Sequence, residues 1–348
     1  MKRQLKTAII SLLLLGGLAT AFAQTKRVTG QWDFNNSNLV ATVGNNLEYV
    51  SVNASNFTTF GRTGDPTFTY DGTNQVKNIH GVAVNVMCSA VDPADGFPGT
   101  VGYIMRHGIL PKSGDTYVNQ WTMIMDMYWG YTNHTGEGAI STAAALFSIS
   151  DTNLSNDADM YDNYGAFGKG CCSPYNYSPV VSQAEQWQRL VFTADMSATP
   201  PRLAKYINGV KQGGDAGSLT TGNGIKDGRF SLRDFLVLFG DGDNEKARVY
   251  VNSLQIRDGK LSDAQAAALG GPSAQGIPLG ILVVLKINSI VRTGSNVTIS
   301  WNGEPDIQLQ KTASLSPPAW VDVAGSLGAN SVTELIGSTN AFYRLSRP

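Results

Sequence analysis

Oxygen-bearing side chains recur at a regular spacing near the middle of the chain. Between residues 151 and 162 they are Asp151, Asn153, Ser155, Asp157, Asp159 and Asp162. This is the ligand spacing of an EF-hand-type loop, in which several oxygens bind Ca²⁺ together. The segment departs from that pattern at Asn156, where glycine is usual, and at Asp162, where a longer glutamate is usual. It predicts a calcium site, and the alternative is a polar loop whose side chains bind their own backbone.

A second acidic segment, residues 240–245, connects two predicted strands, one over residues 230–239 and the other over residues 247–257. It carries Asp241 and Asp243, which are further candidate calcium ligands. Gly240 and Gly242 fit an acidic hairpin turn equally well, so both interpretations stay open.

Tyrosines, together with asparagine and aspartate, form a candidate ligand-binding cluster. A pyranose presents one apolar face and a polar rim, so aromatic rings stack on the sugar while polar groups bind its hydroxyls. The cluster surrounds the end of a predicted central strand and the loop after it, and comprises Asp126, Tyr128, Tyr131, Asn133, Tyr161, Tyr164, Tyr175 and Tyr177. It predicts carbohydrate binding, with burial in the core as the alternative for each aromatic residue.

Several other kinds of chemistry find no support in the sequence. Glycoside hydrolysis requires paired carboxylates, and no strand carries the E-x-D-x-x-E pattern or a G-x-S-x-G nucleophile elbow. His80, His107 and His134 are far apart and lack partners at zinc-ligand spacing. A formal net charge of −1 gives no general attraction for nucleic acid. We expect no catalysis, although a polysaccharide-active enzyme with an unrecognised active site stays open.

The first 23 residues have the pattern of a cleaved secretory signal. Three basic residues precede an apolar run over residues 8–18, which is shorter than the ~20 residues that span a bilayer. Ala21 and Ala23 fit signal-peptidase cleavage near Ala23. The pattern predicts a secreted or bacterial cell-surface protein with no membrane span in the mature chain.

The elements that must hold these groups are short strands. Glycine, asparagine, serine and threonine punctuate alternating apolar residues from Gly30 onward, which favours an all-β sandwich or barrel. Over residues 119–129 one parity carries Trp121, Met123, Met125, Met127 and Trp129. We expect this parity to face a second sheet, and the other parity, with Asp126 and Tyr128, to face solvent or ligand.

Local signals define the later part of this region. Asn208 and Gly209 favour the positive φ angles of a type I′ hairpin turn. Ser262 is placed to cap a helix with Gln265 reaching back, and Gly270 is placed to end it.

The three cysteines permit one disulfide in an exported protein. We favour Cys88 pairing with Cys171 or Cys172, and fully reduced thiols are the alternative.

The sequence patterns over residues 187–209 and 247–259, together with the helix predicted after them, resemble the laminin-G-like, concanavalin A-like jelly roll of secreted bacterial proteins. The resemblance implies a large antiparallel jelly-roll sandwich over residues 28–271, a display surface for ligands and, as is frequent in that family, calcium at a rim. A Pro/Gly-rich linker over residues 272–280 follows. Short strands over residues 281–348 resemble a small immunoglobulin- or fibronectin-like sandwich.

Together these patterns predict an exported, all-β protein whose large domain is a non-catalytic binding module. Its expected partner is a glycan or an extracellular protein, and calcium is the candidate cofactor. A structural component of the cell surface or matrix is the remaining alternative.

Overall fold

A computed structural model of the chain describes residues 27–92, 94, 99–130, 143–149, 158–171, 175–179, 183–214, 225–242, 245–280, 285–301, 307–337 and 340–346. The chain divides into two compact units, a large one over Lys26–Ile281 and a small one over Leu282–Pro348. Both units are built mainly of antiparallel strands, which confirms the predicted all-β class. Among the described residues, no helix is long and apolar enough to cross a membrane.

The first sheet of the large unit has eight strands in the described residues. They are β1 (Val28–Trp32), β3 (Thr59–Arg62), β4 (Asn85–Cys88), β6 (Gln120–Tyr128), β11 (Trp187–Asp195), β12 (Arg202–Ile207), β13 (Val210–Lys211) and β15 (Tyr250–Asp258). Their order is β13-β12-β11-β6-β15-β4-β3, and β1 pairs with β15.

The second sheet has seven strands in the part of the chain that the structure describes. They are β2 (Glu48–Tyr49), β5 (Tyr103–Met105), β7 (Ala143–Ser148), β8 (Met160–Asn163), β9 (Ala166–Lys169), β10 (Asn176–Tyr177) and β14 (Leu236–Leu238). Their order is β10-β9-β8-β7-β14-β5-β2, so β10 lies at one edge.

The main core lies between these two sheets. Trp121, Met123, Met125 and Met127 of β6 are at most 1% exposed, and they share one cluster with Phe147 of the second sheet. Each such side chain contributes roughly 1.5–3 kcal/mol when it leaves water. The predicted inward-facing parity of β6 is therefore confirmed, and it identifies a sandwich of two stacked layers.

Two predicted local structures are confirmed. Asn208 and Gly209 have φ angles of 50° and 81° and join β12 to β13 in a tight hairpin. Helix α2 (Asp263–Leu269) begins with a capping box between Ser262 and Gln265 and ends at Gly270, whose φ is 58°. A shorter helix, α1 (Val52–Phe57), is capped by Ser51 and was not predicted.

The outward face of the first sheet is covered by residues 259–280, which we call the covering segment and which includes α2. Its backbone is hydrogen-bonded to buried polar groups of the sheet: Leu261 N donates to Thr193 Oγ1 at 2.8 Å, Ile277 N donates to Ser253 Oγ at 3.2 Å, and Pro278 O accepts from Arg257 Nη2 at 2.6 Å. Residues 272–280 are thus anchored in the large unit, where the sequence predicted a linker with few anchors.

The small unit consists of two three-stranded sheets in its described residues. One contains β16 (Ile287–Thr293), β17 (Asn296–Trp301) and β20 (Ser331–Leu335), and the other contains β18 (Gln308–Thr312), β19 (Val321–Asp322) and β21 (Phe342–Ser346). Ile299, Trp301, Ile307, Leu309 and Val323 form its core. The small sandwich predicted for this region is therefore present.

Candidate functional site

Asp126 lies on the outward parity of β6, but it does not face solvent. Its carboxylate is 0% exposed and accepts two hydrogen bonds from Arg189, Nε to Oδ1 and Nη2 to Oδ2, each at 2.7 Å. Arg189 also donates to Leu269 O in the covering segment at 2.6 Å. Burial raises the pKa of Asp126, and the hydrogen bonds from Arg189 oppose that shift. The predicted availability of Asp126 for a ligand is wrong, because the covering segment closes this face.

Tyr128 is also removed from solvent. It packs at ring-centroid distances of 6.1 Å from Tyr70, 5.4 Å from Trp187 and 6.1 Å from Tyr250. Its exposed fraction is 0%, and burial raises the pKa of its phenol. The expectation that Tyr128 faces solvent or ligand is therefore wrong, and its environment is an aromatic cluster on the outward face of the first sheet.

The outward face of the second sheet carries a different group of tyrosines near β10. Tyr161 of β8 and Tyr177 of β10 both lie opposite Gly168 of β9, so the three residues form one row across three strands. A Cβ on Gly168 would lie 2.0 Å from Asn176 O. A Cβ on Gly170 would lie 2.2 Å from the Tyr161 ring. Gly168 thus leaves room for the backbone of β10 to approach closely, and Gly170 leaves the space that the Tyr161 ring occupies.

Tyr161 and Asp241 form the buried floor of this row. Tyr161 Oη donates to Asp241 Oδ1 at 3.0 Å, and Ala158 N donates to the same oxygen at 2.8 Å. Glu245 N donates to Asp241 Oδ2 at 3.2 Å, and Glu245 O accepts from Ala145 N of β7 at 2.8 Å. The fold therefore brings one of the predicted acidic residues, Asp241, to the predicted tyrosine cluster.

Tyr175, which is exposed, and Tyr177, which is half-buried, are the accessible part of the same group. Their ring centroids are 6.2 Å apart with an interplanar angle of 37°, and Tyr175 is 63% exposed. Burial raises the pKa of Tyr177 to about 12, and the negative charge of Glu245 adds to this rise. At neutral pH its hydroxyl therefore keeps its proton. We call Tyr175 and Tyr177, with the floor formed by Tyr161, Gly168 and Gly170, the tyrosine surface.

Tyr164 is exposed but lies away from this surface. It occupies the turn between β8 and β9, with φ values of 53° at Tyr164 and 89° at Gly165. Asn176 pairs with Lys169 at the other end of β9, so Tyr164 and Tyr175 flank opposite ends of a four-residue strand. At about 3.3 Å per residue their backbones are roughly 10 Å or more apart along the strand direction.

Other predicted site residues fall outside the described residues. They are Tyr131 and Asn133 among the ligand-binding candidates, and Asp151, Asn153, Ser155, Asp157 and Asp243 among the metal-binding candidates.

The metal-binding candidates within the described residues are all buried and do not form a cation site. Asp159 accepts from Arg229 Nε and from Ile149 N, each at 2.5 Å. Asp241 is engaged by Tyr161 and by backbone amides, and Asp162 is 0% exposed. No group of three or more His, Cys, Asp or Glu residues converges there as a metal site. These carboxylates are buried within the fold, and the calcium ligation that their spacing predicts stays a prediction, since the other candidate ligands lie outside the described residues.

Cys88 and Cys171 lie on opposite sides of the first sheet. Cys88 packs with Tyr128 and Tyr250 on its outward face, whereas Cys171 belongs to the core between the two sheets. A disulfide between Cys88 and Cys171 is therefore not part of this fold, and Cys172 lies outside the described residues.

Two residues that adjoin the tyrosine surface from the core side were missed by sequence reasoning. Asn176 lies between Tyr175 and Tyr177, and Lys205 of β12 donates to its backbone oxygen at 3.0 Å. The alternation Tyr-Asn-Tyr over residues 175–177 could have signalled one inward and two outward side chains. No local pattern could have paired Asn176 with a lysine on a strand of the other sheet.

Comparisons with known proteins identify distant structural similarity only. No family model matches the chain, and no curated protein matches it. Domain 4 of AbnA, an extracellular arabinanase from Geobacillus stearothermophilus solved with arabinotriose, is 15% identical, with 70% of this chain and 98% of that chain covered and a TM-score of 0.39. A heptameric SAP-like pentraxin from Limulus polyphemus is 16% identical, with 71% and 98% covered and a TM-score of 0.32.

A sialidase from Trypanosoma rangeli is 13% identical, with 53% of this chain and 29% of that chain covered and a TM-score of 0.36. Similarities at this level assign neither a family nor a ligand to the chain.

Proposed function

We propose that the large unit is a non-catalytic carbohydrate-binding module whose ligand stacks on the tyrosine surface. The observation that supports this proposal is the pair of Tyr175 and Tyr177, with ring centroids 6.2 Å apart, on a strand edge where Tyr175 is 63% exposed. Exposed aromatic rings of this kind match the apolar face of a pyranose. Within the same proposal the large unit is a laminin-G-like jelly roll, as the sequence patterns over residues 187–209 and 247–259 suggest.

Polar groups beside the rings suit the hydroxyl rim of a sugar. The Tyr177 phenol carries its proton at neutral pH and can donate a hydrogen bond. Glu245 is partly exposed beside it and supplies an acceptor. A largely apolar platform with a few fixed donors and acceptors is the usual composition of a small-ligand site.

Calorimetric titration against a panel of neutral and acidic polysaccharides tests this proposal. We expect Tyr175→Ala and Tyr177→Ala each to lower affinity about tenfold, because a central aromatic contact is worth roughly 1–2 kcal/mol. Tyr164→Asn is the matched control, since it removes an exposed tyrosine from the far end of β9 and asparagine tolerates positive φ. Absence of binding across the panel, or equal affinity of wild type and Tyr175→Ala, would reject the proposal.

Calcium assistance is a separate proposal that depends on residues outside the described part of the chain. It is supported by the oxygen spacing of Asp151, Asn153, Ser155 and Asp157, together with Asp243. After chelator treatment, added calcium should raise the melting temperature by mass action, because it binds the folded state. Asp157→Asn should reduce this rise. An unchanged melting temperature at millimolar calcium would contradict the proposal.

Export is likewise proposed from the N-terminal pattern, whose residues lie outside the described part. We expect the protein recovered from the culture medium or cell surface to begin near Gln24, which N-terminal sequencing would establish. A product that retains residues 1–23 would contradict cleavage.

A further inference from the structure

Lys205 occupies a core-facing position in β12. It lies opposite Phe192 in the β11–β12 pair, and its strand neighbours of the same parity, Leu203 and Ile207, belong to the core between the sheets. Its exposed fraction is 1%. A lysine therefore stands where the alternation of the strand calls for an apolar side chain.

The contacts of Lys205 lead to one residue of the opposite sheet. Its Nζ donates to Asn176 O at 3.0 Å and to the Asn176 side-chain oxygen. Among the described residues it forms no ion pair with a carboxylate. Burial lowers the pKa of Lys205 to about 8, since no negative charge compensates for the lost hydration.

Such a group is a stability burden for the fold. A buried ammonium without an acidic partner is disfavoured relative to an apolar side chain of similar length. The two hydrogen bonds to Asn176 offset only part of this penalty, because they replace hydrogen bonds that the ammonium makes to water in the unfolded chain. Groups retained against stability in this way cluster at functional positions.

Asn176 connects Lys205 to the tyrosine surface. In β10, Asn176 pairs with Lys169 and Tyr177 pairs with Gly168, so their side chains point to opposite faces of the sheet. β10 is a two-residue edge strand whose partner in the sheet is β9. Short edge strands of this kind open readily. The ammonium of Lys205 therefore supplies a second attachment from the other sheet, at the residue between Tyr175 and Tyr177.

We propose that Lys205 is a positioning residue for the glycan site, holding Asn176 inward so that Tyr175 and Tyr177 are presented outward as one platform. This inference rests on the proposed carbohydrate-binding function. It names a residue that touches no ligand and acts through β10.

Lys205→Met tests the inference with two independent readouts, and Lys211→Met in β13 is the control because Lys211 bonds Asp263 at the surface. Hydrogen exchange without ligand should be faster over residues 175–179 in Lys205→Met, with the rest of the large unit unchanged and the melting temperature at pH 7 not lowered. Glycan affinity should fall at least tenfold. Lys211→Met should match wild type in both measurements.

Each outcome separates the inference from the proposed function. Unchanged exchange over residues 175–179 overturns the positioning role whether or not a glycan has been found. Unchanged glycan affinity with faster exchange overturns the link between Lys205 and the site. Faster exchange throughout, with a lower melting temperature, assigns Lys205 a general structural role and also overturns the inference. If wild type binds no polysaccharide, the proposed function fails and, with it, the part of the inference that depends on a glycan.

Discussion

Replacement of Asp126 by asparagine separates a structural carboxylate from a ligand-binding one. Asp126 and Arg189 form a bidentate pair with both side chains at most 1% exposed. Asparagine keeps the size of the side chain but removes its charge, so the Arg189 guanidinium stays buried without a counter-charge. Breaking a buried pair from one side destabilises a protein by about 3–5 kcal/mol. We expect a loss of this size in the free energy of unfolding.

An exposed ion pair in the same unit provides the scale for comparison. Lys77 Nζ and Glu185 Oε2 are also 2.7 Å apart, but their side chains are 57% and 43% exposed. Water screens such a pair, and exposed pairs contribute about 0–1 kcal/mol. Glu185→Gln is therefore the matched control for Asp126→Asn. The two ion pairs have the same N–O distance but differ in burial, so the two variants compare the effect of desolvation on the free energy of unfolding.

Urea unfolding monitored by tryptophan fluorescence supplies the free energies, and glycan titration of the folded variants supplies the affinities. Asp126→Asn should lower the urea midpoint strongly with an unchanged m-value, and its affinity should equal that of wild type. The double variant Asp126→Leu/Arg189→Met should recover most of the loss, because neither member of the pair is left buried without its counter-charge. A loss below about 1 kcal/mol for Asp126→Asn would refute the reasoning from burial. If Asp126→Asn had wild-type stability but lost glycan affinity, Asp126 would be a ligand-binding residue after all.

Three further changes test other parts of the fold. Burial lowers the pKa of Lys205 to about 8 from 10.5, so wild type gains stability from this group as pH rises through that window and loses it as pH falls. The unfolding free energy of Lys205→Met relative to wild type should therefore fall by about 3 kcal/mol between pH 7 and 10.5, and a pH-independent difference would contradict this. Gly168→Ala, whose Cβ would meet Asn176 O at 2.0 Å, should lower stability by about 1–3 kcal/mol, whereas Gly214→Ala, with open space around it, should lie within about 0.5 kcal/mol of wild type. Ser262→Ala should reduce the free energy of unfolding by about 1 kcal/mol through loss of the α2 cap, and an unchanged urea midpoint would argue against that cap.

Strand β6 shows how far alternation predicts this fold. Its tryptophan and methionine parity faces the core, because burying large apolar side chains dominates the placement of a strand. The same alternation wrongly predicted that the opposite face meets solvent or ligand, whereas Asp126 and Tyr128 on that face are equally buried. Ile124, which shares that face and is 0% exposed, was the available warning that both faces of β6 are covered.

The covering segment could not have been inferred from local patterns. Residues 272–280 are rich in proline and glycine, which is typical of linkers. Their anchoring depends on backbone carbonyls such as Gly276 O and Pro278 O, which accept from Arg189 and Arg257. Backbone acceptors carry no sequence signature. A buried arginine far from any predicted partner is the indirect sign of such a segment.

In the candidate site, too, the sequence predicts which residue types are abundant but not which of them lie side by side. The number of tyrosines over residues 161–177 predicts an aromatic surface. This prediction does not depend on how the strands pair. Register decides that Tyr161 and Tyr177 share a row through Gly168, while Tyr164 lies at a turn. Packing of one sheet on the other decides that Lys205 reaches Asn176.

The covering of the first sheet determines where a ligand of the large unit can bind. Arg189, Arg257 and Asp126 lie beneath the covering segment, and Tyr128 lies within an aromatic cluster, so a glycan could reach this face only by displacing packed chain. Displacement would leave buried charges without their partners, which is energetically prohibitive for a weakly held sugar. At the β10 edge of the second sheet, by contrast, Tyr175 is already exposed. A ligand that stacks on Tyr175 need not displace the covering segment, and this difference favours the tyrosine surface over the outward face of β6, where the other predicted ligand-binding residues Asp126 and Tyr128 lie.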